Sequence, residues 1–180
     1  MKSIKKYCLT ILVFGVVALT NSCTAQVEDK TAPIHWMGFE ETVAKGDPSN
    51  KKIFIDTYTH WCGWCKKMDA STFRDSAIVK YMNDKFYAIK LDAETKDTIH
   101  FRGTNFTYKA ENKSNELASS MMNGQMSYPT FIFLDENFAM LSPLPGYQTP
   151  EQLMSVLKYF GENIYKTKKW EEYQKEMGGN

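Results

Sequence analysis

The sequence predicts an α/β protein in which a mixed central sheet is flanked by helices and carries an inserted β-hairpin. Three observations lead to this fold class. Short apolar strand segments alternate with amphipathic helical segments along the chain. A segment between the second and third strands has the pattern of an extra hairpin. The chain has 180 residues, which is enough for one domain with its own apolar core.

The first elements can be assigned from apolar spacing. Trp36, Phe39 and Val43 recur at helical spacing and predict a first helix. The Gly-Asp-Pro-Ser-Asn stretch at 46–50 ends that helix. A mainly apolar run at 53–58 then predicts a buried strand, which leads into a cysteine motif at the start of the next helix. A second short helix is expected around residues 78–82.

The second half of the domain is predicted to supply the rest of the sheet. Residues 86–91 predict a strand, and 128–134 with 139–144 predict a hairpin around a turn. A final amphipathic helix follows the start signal Thr149-Pro150-Glu151. Its apolar face is formed by Leu153, Val156, Leu157, Phe160 and Ile164.

The inserted segment spans residues 92–115. Ile99 and Phe101 alternate with polar residues, and so do Phe106 and Tyr108, around a central Gly-Thr-Asn. This alternation indicates a β-hairpin. The domain as a whole is predicted to cover residues 30–164, followed by a charged tail at 165–180 that continues the last helix and has no separate function.

The N-terminus has the features of an export signal. Lys2, Lys5 and Lys6 precede an apolar run at 9–19. The run is too short for a membrane span and predicts a signal peptide at 1–25. We therefore expect an exported, periplasmic protein.

Two ways of removing the signal are open. Thr20-Asn21-Ser22-Cys23 is similar to a bacterial lipobox, in which the signal would end at residue 22 and Cys23 would carry lipid. Two acyl chains would suffice for a stable membrane anchor. The alternative is ordinary cleavage after Ala25 in an A-x-A-like site.

The four cysteines point to redox chemistry. Cys8 leaves with the signal and Cys23 is acylated or removed, so only Cys62 and Cys65 remain as thiols. A bridge closing so small a loop removes little chain entropy and is a poor staple. Thiol–disulfide exchange, in contrast, needs one attacking thiolate and a second thiol close by to resolve the mixed disulfide.

The spacing of this pair assigns the two roles. At the start of a helix, Cys62 would lie among unpaired backbone N–H groups and the positive helix end, which stabilise a thiolate. Cys65 would lie one turn deeper. Cys62 is therefore the expected nucleophile and Cys65 the resolving thiol.

Other uses of the motif find less support in the sequence. No second C-x-x-C and no His pair follows to complete a zinc site, so no metal is predicted. Lys66 stands where haem attachment needs histidine. No nicotinamide or flavin motif is present, and the net charge of +1 argues against nucleic acid as the main partner. The expected cofactor is none beyond the Cys62–Cys65 disulfide.

Over residues 36–164 the order of elements resembles the thioredoxin superfamily. The likeness is sharpest over 56–68 and closest to exported thioredoxin-like proteins with a Trp-Cys-Gly-Trp-Cys-Lys-Lys core. It implies a thioredoxin-like fold, a redox-active Cys62/Cys65 pair, a cis proline at Pro129 facing that pair, and a buried carboxylate, Asp56, beneath the second cysteine. The chain departs from thioredoxin itself by Trp64, where that protein has proline, and by the long insert.

The resemblance also indicates where a substrate would bind. Tyr128 would present its backbone to a substrate strand, and Trp61, Gly63 and Trp64 would form a contact rim around the thiols. Trp61 packed against the fold is an equal alternative. Asp56 could be a proton acceptor of raised pKa or a simple salt-bridge partner. His60 could be a solvated residue or a thiolate tuner.

These features together predict a protein-disulfide reductase or isomerase acting on exported clients. Its electrons would come from a membrane-embedded thiol relay. Two alternatives remain: a binding or chaperone module on a thioredoxin scaffold, and a dedicated thiol reductant in a metal or haem maturation pathway. The insert, an addition to the minimal thioredoxin plan, is expected to select clients and to be dispensable for folding and for the core reaction.

Overall fold

The computed structural model of the chain describes residues 33–45 and 51–178. The predicted signal peptide, the lipid site at Cys23 and the loop at 46–50 lie outside the described residues. The helices and strands follow in chain order: β1 (Trp36–Met37), α1 (Phe39–Lys45), β2 (Lys52–Tyr58), α2 (Gly63–Ala70), α3 (Ser76–Lys85), β3 (Phe86–Asp92), β4 (Ile99–Phe101), β5 (Thr104–Phe106), β6 (Tyr108–Lys109), β7 (Ser114–Asn115), α4 (Glu116–Met121), β8 (Thr130–Leu134), β9 (Met140–Pro145), α5 (Pro150–Gly161) and α6 (Trp170–Met177).

The central sheet has five strands in the order β1-β3-β2-β8-β9. Strands β1, β3 and β2 are parallel, whereas β8 runs antiparallel to β2 and β9 antiparallel to β8. Two small antiparallel ladders, β4–β5 and β6–β7, lie outside this sheet. The predicted fold class, a mixed sheet flanked by helices with an inserted hairpin, is confirmed.

The two faces of the sheet bury different side chains because residues alternate along each strand. One face, called here the aromatic face, packs Phe54, Phe131 and Phe133 with residues of α2, α3 and α5. The other, called here the aliphatic face, packs isoleucine and leucine side chains from the same strands with residues of α1, the β4–β5 hairpin and α4. Both clusters consist of largely buried residues, so each contributes to the core.

One edge of the sheet collects the residues of the predicted site. Strands β2 and β3 end side by side there, with Tyr58 opposite Asp92. Strand β8 begins at the same edge, where Thr130 lies opposite Thr57 of β2 and opposite Pro145, the last residue of β9. This edge is called the Cys62 edge below, because the loop after β2 carries that cysteine.

The insert is more closely built into the core than the sequence indicated. Ile99 and Phe101 of β4 are buried in the aliphatic face, and the Phe101 ring meets that of Phe39 edge-on with 5.3 Å between centroids. The expectation that the insert is dispensable for folding is therefore not supported by its packing. Alternation along a short hairpin shows that one side is apolar, but it cannot show what covers that side.

Two helix boundaries differ from those expected. Trp36 belongs to the short strand β1, and α1 begins only at Phe39. The tail does not continue α5, because the chain leaves that helix at Gly161 and passes through Asn163 in the left-handed conformation. Helix α6 then packs back on the domain, with Tyr173 buried against α5.

Hydrophobicity within the described residues gives one further result. Between residues 33 and 45 and between 51 and 178, no helix is both long and apolar enough to cross a lipid bilayer.

Candidate functional site

Cys62 and Cys65 form a disulfide bond at the N-terminus of α2. Cys62 is the N-cap residue of this helix, with extended backbone angles, and its Sγ accepts the backbone N–H of Cys65 at 3.0 Å. Its own backbone N–H donates to the Thr59 carbonyl at 3.1 Å, which holds the preceding loop in a turn. Once reduced, a Cys62 thiolate would face the same backbone donor and the positive end of the helix.

Gly63 provides open space beside the disulfide. Both cysteine residues are largely buried, whereas Gly63 between them and the flanking tryptophans is exposed. A Cβ added at Gly63 would meet no atom within 4 Å. The fold therefore does not require glycine here for steric reasons, and a client chain has room to approach at this point.

Trp61 forms one side of the rim. Its side chain is 66% exposed and meets the ring of Tyr128 edge-on, with 5.7 Å between centroids. Its indole N–H donates to both carboxylate oxygens of Glu94, each at 3.1 Å. Trp61 is therefore exposed and at the same time packed against Tyr128, and its indole is held at the surface by an acidic residue of the insert.

Trp64 forms the other side of the rim. It is 56% exposed and lies against Tyr147, with 5.5 Å between ring centroids. The Lys67 ammonium lies 4.8 Å from the Trp64 ring centre and 5.0 Å from that of Tyr147. A cation at this distance is attracted by the ring faces. This side of the rim therefore carries a positive charge.

Pro129 joins the rim to the sheet. The Tyr128–Pro129 peptide bond is cis, as the resemblance implied, and Pro129 itself is buried. Its carbonyl accepts the backbone N–H of Gly146 at 2.8 Å. This bond ties the loop after β9, which carries Tyr147, to the loop before β8, which carries Tyr128.

Asp56 lies on β2 on the aromatic face and is 1% exposed. Its Oδ2 accepts a hydrogen bond from Lys90 Nζ at 2.6 Å, and Lys90 is its register partner on β3. The same ammonium also contacts Asp69 of α2. Asp56 is therefore tied through Lys90 to the helix that begins at the cysteine pair.

The aromatic surroundings of Lys90 explain how a cation is tolerated there. Its Nζ lies 4.9 Å from the ring centre of Trp36, 5.3 Å from Tyr58 and 5.4 Å from Phe73. Burial by itself lowers the pKa of Lys90, but its two carboxylate partners outweigh burial and the pKa is raised. Lys90 thus stays charged near neutral pH.

Burial is the largest influence on Asp56 and raises its pKa to about 6, although Lys90 acts in the opposite direction and Asp69 adds to the rise. Its second oxygen, Oδ1, has no hydrogen-bond partner among the described residues. A carboxyl group with a pKa this close to neutral can accept and release a proton during a reaction at neutral pH.

The two sides of the rim have opposite electrostatic surroundings. The pKa of Tyr128 is raised to about 12, first by burial and then by the negative charges of Glu94 and Asp92. The pKa of Tyr147 is lowered, first by hydrogen bonding to Ser71 and Thr72 and further by the positive charge of Lys67. The rim is therefore acidic beside Tyr128 and basic beside Tyr147.

His60 makes its contacts with Tyr58 and Asp92 at the Cys62 edge. Its side chain is largely exposed, its ring meets that of Tyr58 edge-on, and its Nε2 lies 3.3 Å from the Asp92 carboxylate. This placement favours the solvated residue over the thiolate tuner.

Four residues of the site were not identified from the sequence: Lys90, Asp69, Glu94 and Tyr147. A signal existed for Lys90, because a lysine in an otherwise apolar strand needs a buried partner. The others are ordinary surface residue types, and only their contacts distinguish them. Within the described ranges, no group of three His, Cys, Asp or Glu side chains is arranged to hold a metal ion.

Known proteins resemble this chain both in sequence and in structure. A family model described as "Thioredox_DsbH: Protein of unknown function, DUF255" matches residues 19–177. An uncharacterized protein of Caenorhabditis elegans, B0495.5, is 35% identical over 68 residues. Human spermatogenesis-associated protein 20 is 26% identical over 68 residues. Each match covers 37% of this chain and only 9% of the relative's length.

Solved structures share the fold. A thioredoxin-fold protein from Helicobacter pylori aligns with a TM-score of 0.57 at 19% identity, over 74% of this chain and 83% of that one. A structure named DsbH oxidoreductase aligns with a TM-score of 0.53 at 15% identity, over 73% and 86%. A candidate disulphide-isomerase from Bacteroides thetaiotaomicron aligns with a TM-score of 0.51 at 26% identity, over 71% and 92%.

The family match extends over most of the chain, and the fold, the disulfide at the helix start and the structural neighbours agree with it. The chain therefore belongs to the DsbH-type family DUF255, within the thioredoxin superfamily of oxidoreductases.

Proposed function

We propose that this protein reduces or isomerises disulfide bonds in exported client proteins through the Cys62/Cys65 dithiol. The observation that carries the proposal is the disulfide at the start of α2, with Cys62 as N-cap and an exposed aromatic rim on both sides. The likeness to a candidate disulphide-isomerase from Bacteroides thetaiotaomicron supports the same class of reaction.

The proposed reaction has two exchange steps. The Cys62 thiolate attacks one sulfur of a client disulfide, forming a mixed disulfide and releasing the other client sulfur as a thiolate. Cys65 then loses its proton and attacks Cys62, which frees the client as a dithiol and leaves the Cys62–Cys65 disulfide. Two electrons pass to the client. The Asp56 carboxylate, with its pKa near 6, is proposed to accept the Cys65 proton.

A new cycle needs an external dithiol, because the oxidised pair must regain two electrons. A membrane-embedded thiol relay is the proposed donor. In the test tube dithiothreitol can take its place, and insulin reduction followed by turbidity measures turnover.

The two cysteines are distinguished by trapping. Cys65→Ser should accumulate mixed disulfides with clients in cells, because attack by Cys62 proceeds and resolution does not. Cys62→Ser should trap few clients. Non-reducing gels of acid-quenched cells measure both, and equal trapping by the two variants would overturn the assignment.

The protein is proposed to pass electrons to its clients, with a reduction potential of roughly −270 mV, as in thioredoxin, and a Cys62 pKa of about 7. No positive charge stands between the cysteines, and Lys67 is exposed and lies against aromatic rings. Equilibration with glutathione buffers measures the potential. A value above about −150 mV would identify an oxidant instead.

Export and lipid anchoring remain part of the proposal and rest on the N-terminal sequence. Cys23→Ser should release the protein from the membrane fraction, whereas the control Cys8→Ser, within the predicted signal, should not. An unmodified N-terminal Gln26 found by mass spectrometry would instead establish cleavage after Ala25.

A further inference from the structure

The Cys62 edge carries two anchored charges of opposite sign, one on each side of the disulfide. Glu94 is fixed by the bifurcated hydrogen bond from Trp61, and Lys67 by its position over the rings of Trp64 and Tyr147. Neither charge takes part in the exchange chemistry. Each lies against one of the two exposed tryptophans that flank Cys62 and Gly63.

The backbone holds Glu94 in place as well. The N–H of Ala93 donates to the Tyr58 carbonyl at 2.8 Å, and the Ala93 carbonyl accepts from Asn115 at 2.7 Å. The Asp92 side chain accepts the N–H of Glu94 at 3.0 Å. The start of the insert is thus fixed to β2 immediately before the cysteine motif, which places the Glu94 backbone beside the rim, and the Trp61 indole holds the Glu94 carboxylate there.

The order of strands separates the two charges. Glu94 follows the end of β3, and Tyr147, with Lys67 over it, follows the end of β9. Between them lie β2 and β8, so three strand spacings of about 4.8 Å separate the two sides by about 14 Å. In an extended peptide, the side chains two residues before and two after a cysteine share its face and lie about 13 Å apart. The span of such a peptide therefore matches the spacing of the two strand ends that precede Glu94 and Tyr147.

We propose that the Cys62 edge selects extended client segments in which the reactive cysteine lies between a basic side chain and an acidic side chain, with Glu94 receiving the basic group and Lys67 the acidic one. This inference rests on the proposed function and adds a charge preference to it. It also assigns a role to the start of the insert: the chain reaches the rim there and contributes one half of the selecting pair.

The test compares two capped peptides of identical composition, Lys-Ala-Cys-Ala-Glu and Glu-Ala-Cys-Ala-Lys, each joined by a disulfide to 2-mercaptoethanol. The protein is reduced with dithiothreitol, desalted and mixed with each peptide, and tryptophan fluorescence follows its oxidation. At low ionic strength we expect one peptide to react about fivefold faster than the other. At about 1 M salt the ratio should approach one, because exposed charges are then screened within about 3 Å.

A charge exchange identifies the residues responsible. Glu94→Lys combined with Lys67→Glu should invert the ratio, so that the slower peptide becomes the faster one. The ratio within one protein sample cancels any change in the intrinsic reactivity of Cys62. The control exchange, Lys80→Glu with Asp84→Lys, reverses an exposed pair on α3 and should leave the ratio as in the unaltered protein.

The outcomes separate this inference from the function on which it rests. An unaltered protein that reduces none of the peptide disulfides, including that of the uncharged Ala-Ala-Cys-Ala-Ala, would remove the proposed function itself. Reaction with the uncharged peptide but equal rates for the two charged ones would leave the function standing and overturn the charge preference. A preference that the Glu94/Lys67 exchange does not invert would overturn the assignment to these two residues.

Discussion

The aromatic and aliphatic faces of the sheet differ in what they bury besides apolar side chains. The aromatic face contains an ionic group, in which Lys90 joins buried Asp56 to Asp69 among aromatic rings. The aliphatic face instead packs mainly isoleucine, leucine and methionine side chains and takes up the β4–β5 hairpin of the insert. Burying a charge is costly unless it is paired, and Lys90 is paired with two carboxylates.

This difference indicates that the two faces of the sheet have different roles. The aromatic face lies under the helix that begins at Cys62 and holds Asp56, the proposed proton acceptor for the exchange reaction. The aliphatic face stabilises the insert, whose start carries Glu94 to the rim. Substitutions on the two faces should therefore change the free energy of unfolding with a different dependence on pH, and each face can be tested separately.

The largest effect is expected on the aliphatic face. Phe101→Ala removes a buried ring that packs edge-on against Phe39 and Phe138. We expect a loss of about 3 kcal/mol in the free energy of unfolding, similar at pH 5 and pH 7 because Phe101 and its two ring partners carry no titratable group. Urea denaturation at both pH values measures it.

The control lies on the same strand. His100 is exposed, and His100→Ala should change the free energy of unfolding by no more than about 0.5 kcal/mol at pH 7. A Phe101→Ala protein as stable as the native one would show that the hairpin is an appendage, as the sequence indicated, and would remove the division between the faces.

A smaller, pH-dependent effect is expected on the aromatic face. The folded-state pKa of Asp56 is raised from 3.8 to about 6, so the folded protein binds more protons than the unfolded chain between these values. Stability from this group is complete below pH 3.8 and is lost as the pH rises through 6. Relative to Asp56→Asn, the native protein should lose about 2 kcal/mol between pH 4 and pH 7.

Denaturant titrations of both proteins in the oxidised state, at several pH values, measure this difference. Asp69→Asn serves as control, since Asp69 is half exposed. The difference in the free energy of unfolding between the native protein and Asp69→Asn should change much less with pH. A stability difference between the native protein and Asp56→Asn that does not change with pH would mean that Asp56 is ionised throughout and acts as a simple salt-bridge partner.

The smallest effect concerns the rim between the two tryptophans. Gly63→Ala adds a methyl group in open space and reduces the freedom of the unfolded chain, so it should stabilise the protein by about 0.5 kcal/mol. The same methyl group would stand where a client approaches, and kcat/KM for insulin should fall about threefold, equivalent to less than 1 kcal/mol. Gly38→Ala, also in open space but next to β1, which is two strands away from β2 in the sheet, is the control. A Gly63→Ala protein with unchanged kcat/KM would place the client path elsewhere.

Local patterns in the sequence were sufficient for the fold class and the reactive pair. Strand alternation, helix periodicity and the start signal at Thr149, which forms the capping box of α5, act over a few residues and could be identified directly. The i, i+3 spacing of Cys62 and Cys65 is likewise local. Position in the sequence was also enough to single out Asp56 and Pro129 by resemblance.

Tertiary structure alone decided which distant residues meet. The register of β2 and β3 places Lys90 beside Asp56, and the order of four strand ends brings Glu94, Tyr128 and Tyr147 to one edge. The left-handed turn after α5 sends α6 back onto the core instead of prolonging the helix. Contacts of this kind depend on how separate elements pack, so the residue pattern within any one element cannot predict them.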